Sequence, residues 1–367
     1  LFKTISSITS DKATASAVSV GLIAADAIAG SLTQFEPDGY TDDNQINIKT
    51  LSAATTGNIS LTSTNNIIDQ LGDLSVGSSL DVRASGRTTG MVLTGDVKAT
   101  AVTITTGVGV LALGDRDITA TSGNVLLQGR GVTQEAGSTV AAAGTVTVYG
   151  SDYASQGTRG DVVMAGSIIT DNTGSTAVTI ADTNAITIGS IITGSVGLRG
   201  GLRLGTHDHN GITYRRAYGA IDQTAGSQLT VGALDIRQLS NAGPIDLSLQ
   251  TNEIQSVGYV ERGGAITLYD KDTEDNGLSL TAVHAGDYNN LLKATTEGKM
   301  TLSGTNRGKG IALTAGAEGF SGTGSIEGHR GGAGLVEITT TGALALTGGT
   351  IYGKGVQLIS GAEGITS

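Results

Sequence analysis

Ten short segments of this chain follow one template: a glycine, any residue, an aliphatic, any residue, and a second aliphatic, usually followed by Thr, Ser or Tyr. They read GNISL (57–61), GNVLL (123–127), GTVTV (144–148), GSVGL (194–198), GPIDL (243–247), GAITL (264–268), GKMTL (298–302), GLVEI (334–338), GALAL (342–346) and the shorter GVQL (355–358). Each reads as a turn residue leading into a strand of period two, with both aliphatics on one face. Matched positions recur about 20 to 22 residues apart: Leu61 with Val82, Leu127 with Val148, Ile245 with Ile266, Leu280 with Leu302, and Ile338 with Leu358. Short strands at that period, with no helical segments between them, are the signature of a solenoid. The expectation is an all-β chain: a right-handed parallel β-helix (β-solenoid), drawn out as a single elongated rod with loop insertions.

Composition agrees. Glycine is abundant at 57 residues and proline scarce at two. Tight corners need the positive φ that glycine supplies, whereas proline would delete an N–H from strands paired on both sides. Aromatics make up 3% and Trp is absent, so the core must be Val, Ile, Leu and Ala. The predicted core includes Ile59, Leu61, Val146, Val148, Ile266, Leu268, Met300, Leu302, Val336 and Ile338. A net charge of −11 without a basic cluster argues against nucleic acid and anionic membranes as partners. With no cysteine, disulfides and thiolate metal sites are excluded. No stretch is long and apolar enough for membrane insertion, and no cleavable signal is visible. The chain opens and closes inside repeat-like sequence, which reads as a piece of something longer.

Two regions are expected: 1–44, an irregular, degenerate or capping segment, and 45–367, the β-helix. A second motif supports the repeat, since VTQEAGSTV (132–140) aligns with IDQTAGSQL (221–229). The pattern breaks at 149–160, 206–219, 269–277, 284–298 and 318–332, read as insertions that leave the solenoid and offer partner contacts.

These interleaved repeats resemble filamentous haemagglutinin-like exoproteins of Gram-negative bacteria, over about residues 45–367. The resemblance implies a right-handed parallel β-helix, a cell-surface or secreted location, and export through an outer-membrane transporter by two-partner secretion. The family's secretion domain carries Asn-Pro-Asn-type motifs, which are absent here, so the resemblance is to the fibrous shaft. A host or bacterial surface receptor or glycan would then be the partner.

Several residue groups are candidates for chemistry. Arg159-Gly160-Asp161 is an RGD triplet, an integrin-binding sequence that some filamentous haemagglutinins contain; a triplet this short also arises by chance in a glycine-rich chain. Asp270, Asp272 and Glu274 alternate like the start of a calcium loop, yet the glycine at position six and the acid at position twelve are missing. His207-Asp208-His209 would set two imidazoles on one strand face without a third ligand. Asp81, Asp96, Asp161, Asp182, Asp235 and Asp246 read as single carboxylates beside strands, with no pairs repeating at the coil spacing. His329, in GHR (328–330), lacks the acidic partners of a β-helix hydrolase. The threonine pairs Thr103/Thr105 and Thr145/Thr147 do not recur coil after coil on one face, which argues against an ice-binding array.

No catalytic residue and no cofactor is assigned. The expected function is a non-enzymatic shaft or binding segment of a bacterial surface adhesin or extracellular fibre. The alternatives are a carbohydrate-active β-helix (a lyase or glycosidase, including the phage-spike type) and a self-assembling filament subunit with end-to-end self-association through open strand edges.

Overall fold

The computed structural model describes residues 18–20, 23–28, 32–33, 46–63, 65–84, 90–151, 158–195, 198–205, 207–209, 212–215, 217–238, 242–261, 264–271, 277–285, 290–328 and 334–367. The described residues form strands and no helix. The strands stack in parallel as a β-solenoid. The chain divides into two compact units, Leu1–Asn172 with Asp182–Asn184, and Thr173–Ala181 with Ala185–Ser367.

In the first unit each coil has three sides. One side stacks Ile59–Leu61, Ser79–Ala84, Ala101–Thr106, Val125–Gln128 and Val146–Tyr149. The second joins Met91–Leu93, Leu111–Gly114, Val132–Gln134 and the start of Val162–Thr170. The third joins Val97–Ala99, Ile118–Ala120, Thr139–Ala142 and the end of Val162–Thr170. Alternation along each strand turns one aliphatic set inward, so identical positions stack into columns such as Ile59, Leu80, Val102, Val125 and Val146, all at most 1% exposed. Each such side chain contributes roughly 1.5–3 kcal/mol on full burial.

The second unit repeats the plan. One side stacks Ile221–Gln223, Ile245–Leu247, Ile266–Asp270, Leu291–Thr296, Gly310–Ala315, Leu335–Thr340 and Gly355–Ile359. A second carries Met300–Leu302, Phe320–Gly322 and Leu344–Leu346. A third carries Val178–Ala181, Leu202–Gly205 and the ends of Leu229–Arg237, Glu253–Glu261 and Leu278–Val283. It is extended by a small sheet of Thr305–Gly308, Ser325–Gly328 and Ile351–Tyr352, joined through His284 and Arg307.

All five residue pairs expected from the repeat are register partners, and all ten predicted core residues are at most 1% exposed. The two aligned nonapeptides form one kind of corner. Gly137 (φ 93) and Gly226 (φ 78) take the left-handed conformation, and the next serine in each bonds back three residues, Ser138 to the Glu135 carbonyl and Ser227 to the Thr224 carbonyl. A Cβ at either glycine would meet open space, so backbone conformation alone demands glycine there.

Two expectations need correction. GSVGL does not form a solenoid strand: Ser195 and Leu198 bond to each other's backbone, and Leu198 is 68% exposed. Gly194 (φ 70) reverses the chain there, so the template turns back on itself. The insertions expected over 284–298 and 318–332 are shorter than that, because Leu291–Thr296, Phe320–Gly322 and Ser325–Gly328 are solenoid strands with Leu292, Phe320 and Ile326 buried. Within 1–44, the described strands Val18–Val20, Ile23–Ile28 and Leu32–Thr33 pair in parallel with strands of the next coil.

Candidate functional site

The RGD triplet lies at a buried polar cluster in the first unit. Ser151 and Arg159 bridge in antiparallel fashion, and residues 152–157 between them lie outside those described. Asp182 faces this bridge and is 0% exposed; Arg159 donates to it through Nε at 2.5 Å, and Ser151 through its hydroxyl. Its neighbours grip the same bridge. The Thr183 hydroxyl donates to the Gly160 carbonyl at 2.8 Å, the Asn184 backbone N–H to the same oxygen at 3.0 Å, and the Asn184 amide to the Arg159 carbonyl at 3.1 Å. This geometry explains why Asp182–Asn184 cluster with the first unit. Asp182 is the one described non-glycine residue at positive φ, 55°. An aspartate tolerates the left-handed region better than most side chains, and the buried ion pair holds it there.

The two charged ends of the triplet are therefore separated. Arg159 is turned inward onto Asp182, with 15% of its side chain exposed, while Asp161 faces solvent. A receptor gripping both charges would have to break the Arg159–Asp182 pair.

Of the calcium-like series, Asp270 ends the strand Ile266–Asp270 and is 0% exposed. Its two oxygens accept the Ile254 backbone N–H at 2.9 Å and the Thr296 hydroxyl at 2.8 Å. Asp272 and Glu274 lie outside the described residues, as does His329. His207, Asp208 and His209 form a strand antiparallel to Ile212–Arg215, outside the parallel stack. Among the described residues no group of three or more His, Asp or Glu could hold a metal ion.

Asp270 belongs to a wider pattern in which short polar side chains bond one coil to the next. On exposed corners, Asn58, Asp73, Asp96, Asp117 and Asn124 accept the backbone N–H of Ser79, Asp96, Asp117, Thr139 and Thr145, residues 21 to 23 positions on. Asp235 does the same for Tyr259 at 3.1 Å, and Gly258 leaves room for that carboxylate. Inside, Asn252 and Asn306 reach back to the N–H groups of Leu229 and Val283. Asp81 bonds Arg83 on its own strand.

The expectation of single carboxylates needs correction, since Asp73, Asp96 and Asp117 already stack coil on coil. Asp222 and Asp246 are also register partners on adjacent coils, both exposed, and form a further carboxylate pair. Burial of Asp222, and next the charge of Asp246, raise the Asp222 pKa. The shared pattern Ile-Asp in IDQ (221–223) and IDL (245–247) was the available signal. Thr267 and Lys293 continue the same column. Nearby, Tyr269 donates to Glu297, and burial followed by that bond pushes its phenol up to about 12. On the third side Arg237 lies over the Tyr259 ring at 5.1 Å, and His284 meets that ring edge-on at 6.2 Å. Compared with protein-family models, curated proteins and solved structures, the chain gives no match.

Proposed function

We propose that this chain is a non-enzymatic shaft or binding segment of a large bacterial surface adhesin or extracellular fibre, carried outside a Gram-negative cell. One observation carries the reading: Asp and Asn side chains, among them the candidates Asp96, Asp235 and Asp270, hold neighbouring coils together, through the backbone N–H groups of Ser79, Asp96, Asp117, Thr139, Thr145, Leu229, Ile254, Tyr259 and Val283. A chain whose polar groups are committed to stacking is suited to bearing load and spacing. Antibody labelling and protease shaving of intact cells test it. Surface labelling lost on shaving is expected, and protein found only inside the cell contradicts the reading.

The Asp222–Asp246 pair favours a second reading, a carbohydrate-active β-helix. In-register strands set such carboxylates about 4.8 Å apart, near the roughly 5 Å separation of retaining glycosidases. A reducing-sugar assay on a polysaccharide panel separates the two. Turnover abolished by Asp222→Asn would establish the enzyme and defeat the shaft reading.

A further inference from the structure

The second unit carries a regular lattice of hydroxyl groups. On four successive coils Ser279, Thr301, Ser321 and Ala345 are register partners facing outward, between inward residues that include Leu280, Met300, Leu302, Phe320 and Leu344. Two residues further along each coil stand Thr281, Ser303, Thr323 and Thr347. The ladder keeps them in line, since the backbone N–H groups of Ser303, Thr323 and Thr347 bond the carbonyls of Leu280, Leu302 and Gly322. The result is two parallel columns with Ser or Thr at seven of the eight positions. Neither column holds a charged residue, and Lys299 stands in the neighbouring one. Strand geometry sets the hydroxyls of each column at about 4.8 Å from coil to coil.

These hydroxyls differ from their counterparts in the first unit. Thr94 and Thr121 occupy the same place just after a strand, and each bonds a carbonyl of the previous coil, at Leu71 and Ala99. On the lattice, the one hydroxyl contact among the described residues is Ser303 to Thr281, at 3.5 Å. The remaining groups direct their hydrogen-bonding capacity to solvent, and the threonine methyls lie beside them. Hydroxyls on a rigid grid arrange bound water on that grid, and the spacing between coils lies close to an oxygen repeat on planes of ice. A charged face would instead orient water radially around each charge.

We propose that this face binds ice through its two-column hydroxyl lattice. Four coils make a small site, so the expected activity is adsorption to ice and not a large depression of freezing. The inference does not rest on the shaft reading, and either stands without the other.

The test is partition of the full chain into a slowly grown ice hemisphere. Expected is several-fold enrichment of the wild-type chain in the ice fraction over the Thr301→Lys/Thr323→Lys double variant. Lysines at these outward positions extend into solvent, and an unchanged circular dichroism melt would show the fold intact. A control, Thr133→Lys on an outward position of the first unit, should partition like the wild type. The proposal is overturned if the wild-type chain is excluded from ice as fully as the double variant, or if Thr133→Lys abolishes partition equally. Adsorption to crystalline cellulose or chitin without adsorption to ice would also overturn it.

Discussion

Asp182 in the first unit and Asp270 in the second are both carboxylates with no exposed surface, held in opposite ways. Asp270 ends a regular strand and is satisfied by a backbone N–H and a threonine hydroxyl from neighbouring coils. Asp182 stands in left-handed backbone and is neutralised by Arg159, with Ser151 completing the shell. The first arrangement is the repeat's own device, and uncharged Asn252 and Asn306 perform it equally. The second is local and ionic, and it holds the Ser151–Arg159 bridge in place. A buried carboxylate is thus held either by donors that neighbouring coils supply or by a cation placed beside it.

The largest expected effect breaks the ionic member. Arg159→Ala removes the cation from buried Asp182 and should lower stability by about 3 kcal/mol or more, read from urea unfolding. The matching change at the other site, Asp270→Asn, keeps an acceptor for Ile254 and should shift stability by no more than about 1 kcal/mol. Equal losses at the two sites would erase the distinction.

Backbone conformation gives the next effect. Gly137→Ala meets no steric obstacle, so its loss should be that of left-handed alanine, about 1 kcal/mol. A neutral result would mean that the corner relaxes.

The smallest effect depends on pH. The folded-state pKa of Asp222 is raised, so its protonation favours the folded chain. Its contribution is fully present below the unfolded pKa and is lost as pH rises through the folded value. Asp246→Asn removes the second of the two causes, so it should raise the melting temperature slightly at pH 7 and leave it unchanged near pH 3. The gain stays small because Asp222 is exposed to solvent.

How much of this was legible in the sequence depended on periodicity. The columns were, because register follows from inward aliphatics at one spacing, and Leu61 with Val82 or Leu280 with Leu302 could be paired by counting. The failure at GSVGL came from identical letters with a different backbone: the template does not reveal whether its glycine starts a strand or reverses one. The overdrawn insertions had a similar origin, as NNLLKATT hides Leu292 and Ala294 behind polar and exposed neighbours. The site was less legible. That Arg159 faces Asp182, 23 residues away, follows from a loop closure that no local pattern encodes. Asp222 with Asp246 could have been read, but their spacing of 24 residues exceeds the expected period.

The central claim is that short polar side chains on exposed corners bond one coil to the next, and amide hydrogen exchange tests it most directly. The Asp117 backbone N–H, held by Asp96 at 3.0 Å, should exchange as slowly as amides within the strands despite its exposed corner. In Asp96→Ala that amide should become fast while Thr139, held by Asp117, stays protected. Rapid exchange at Asp117 in the unaltered chain, or no change on removing the carboxylate, would contradict the account.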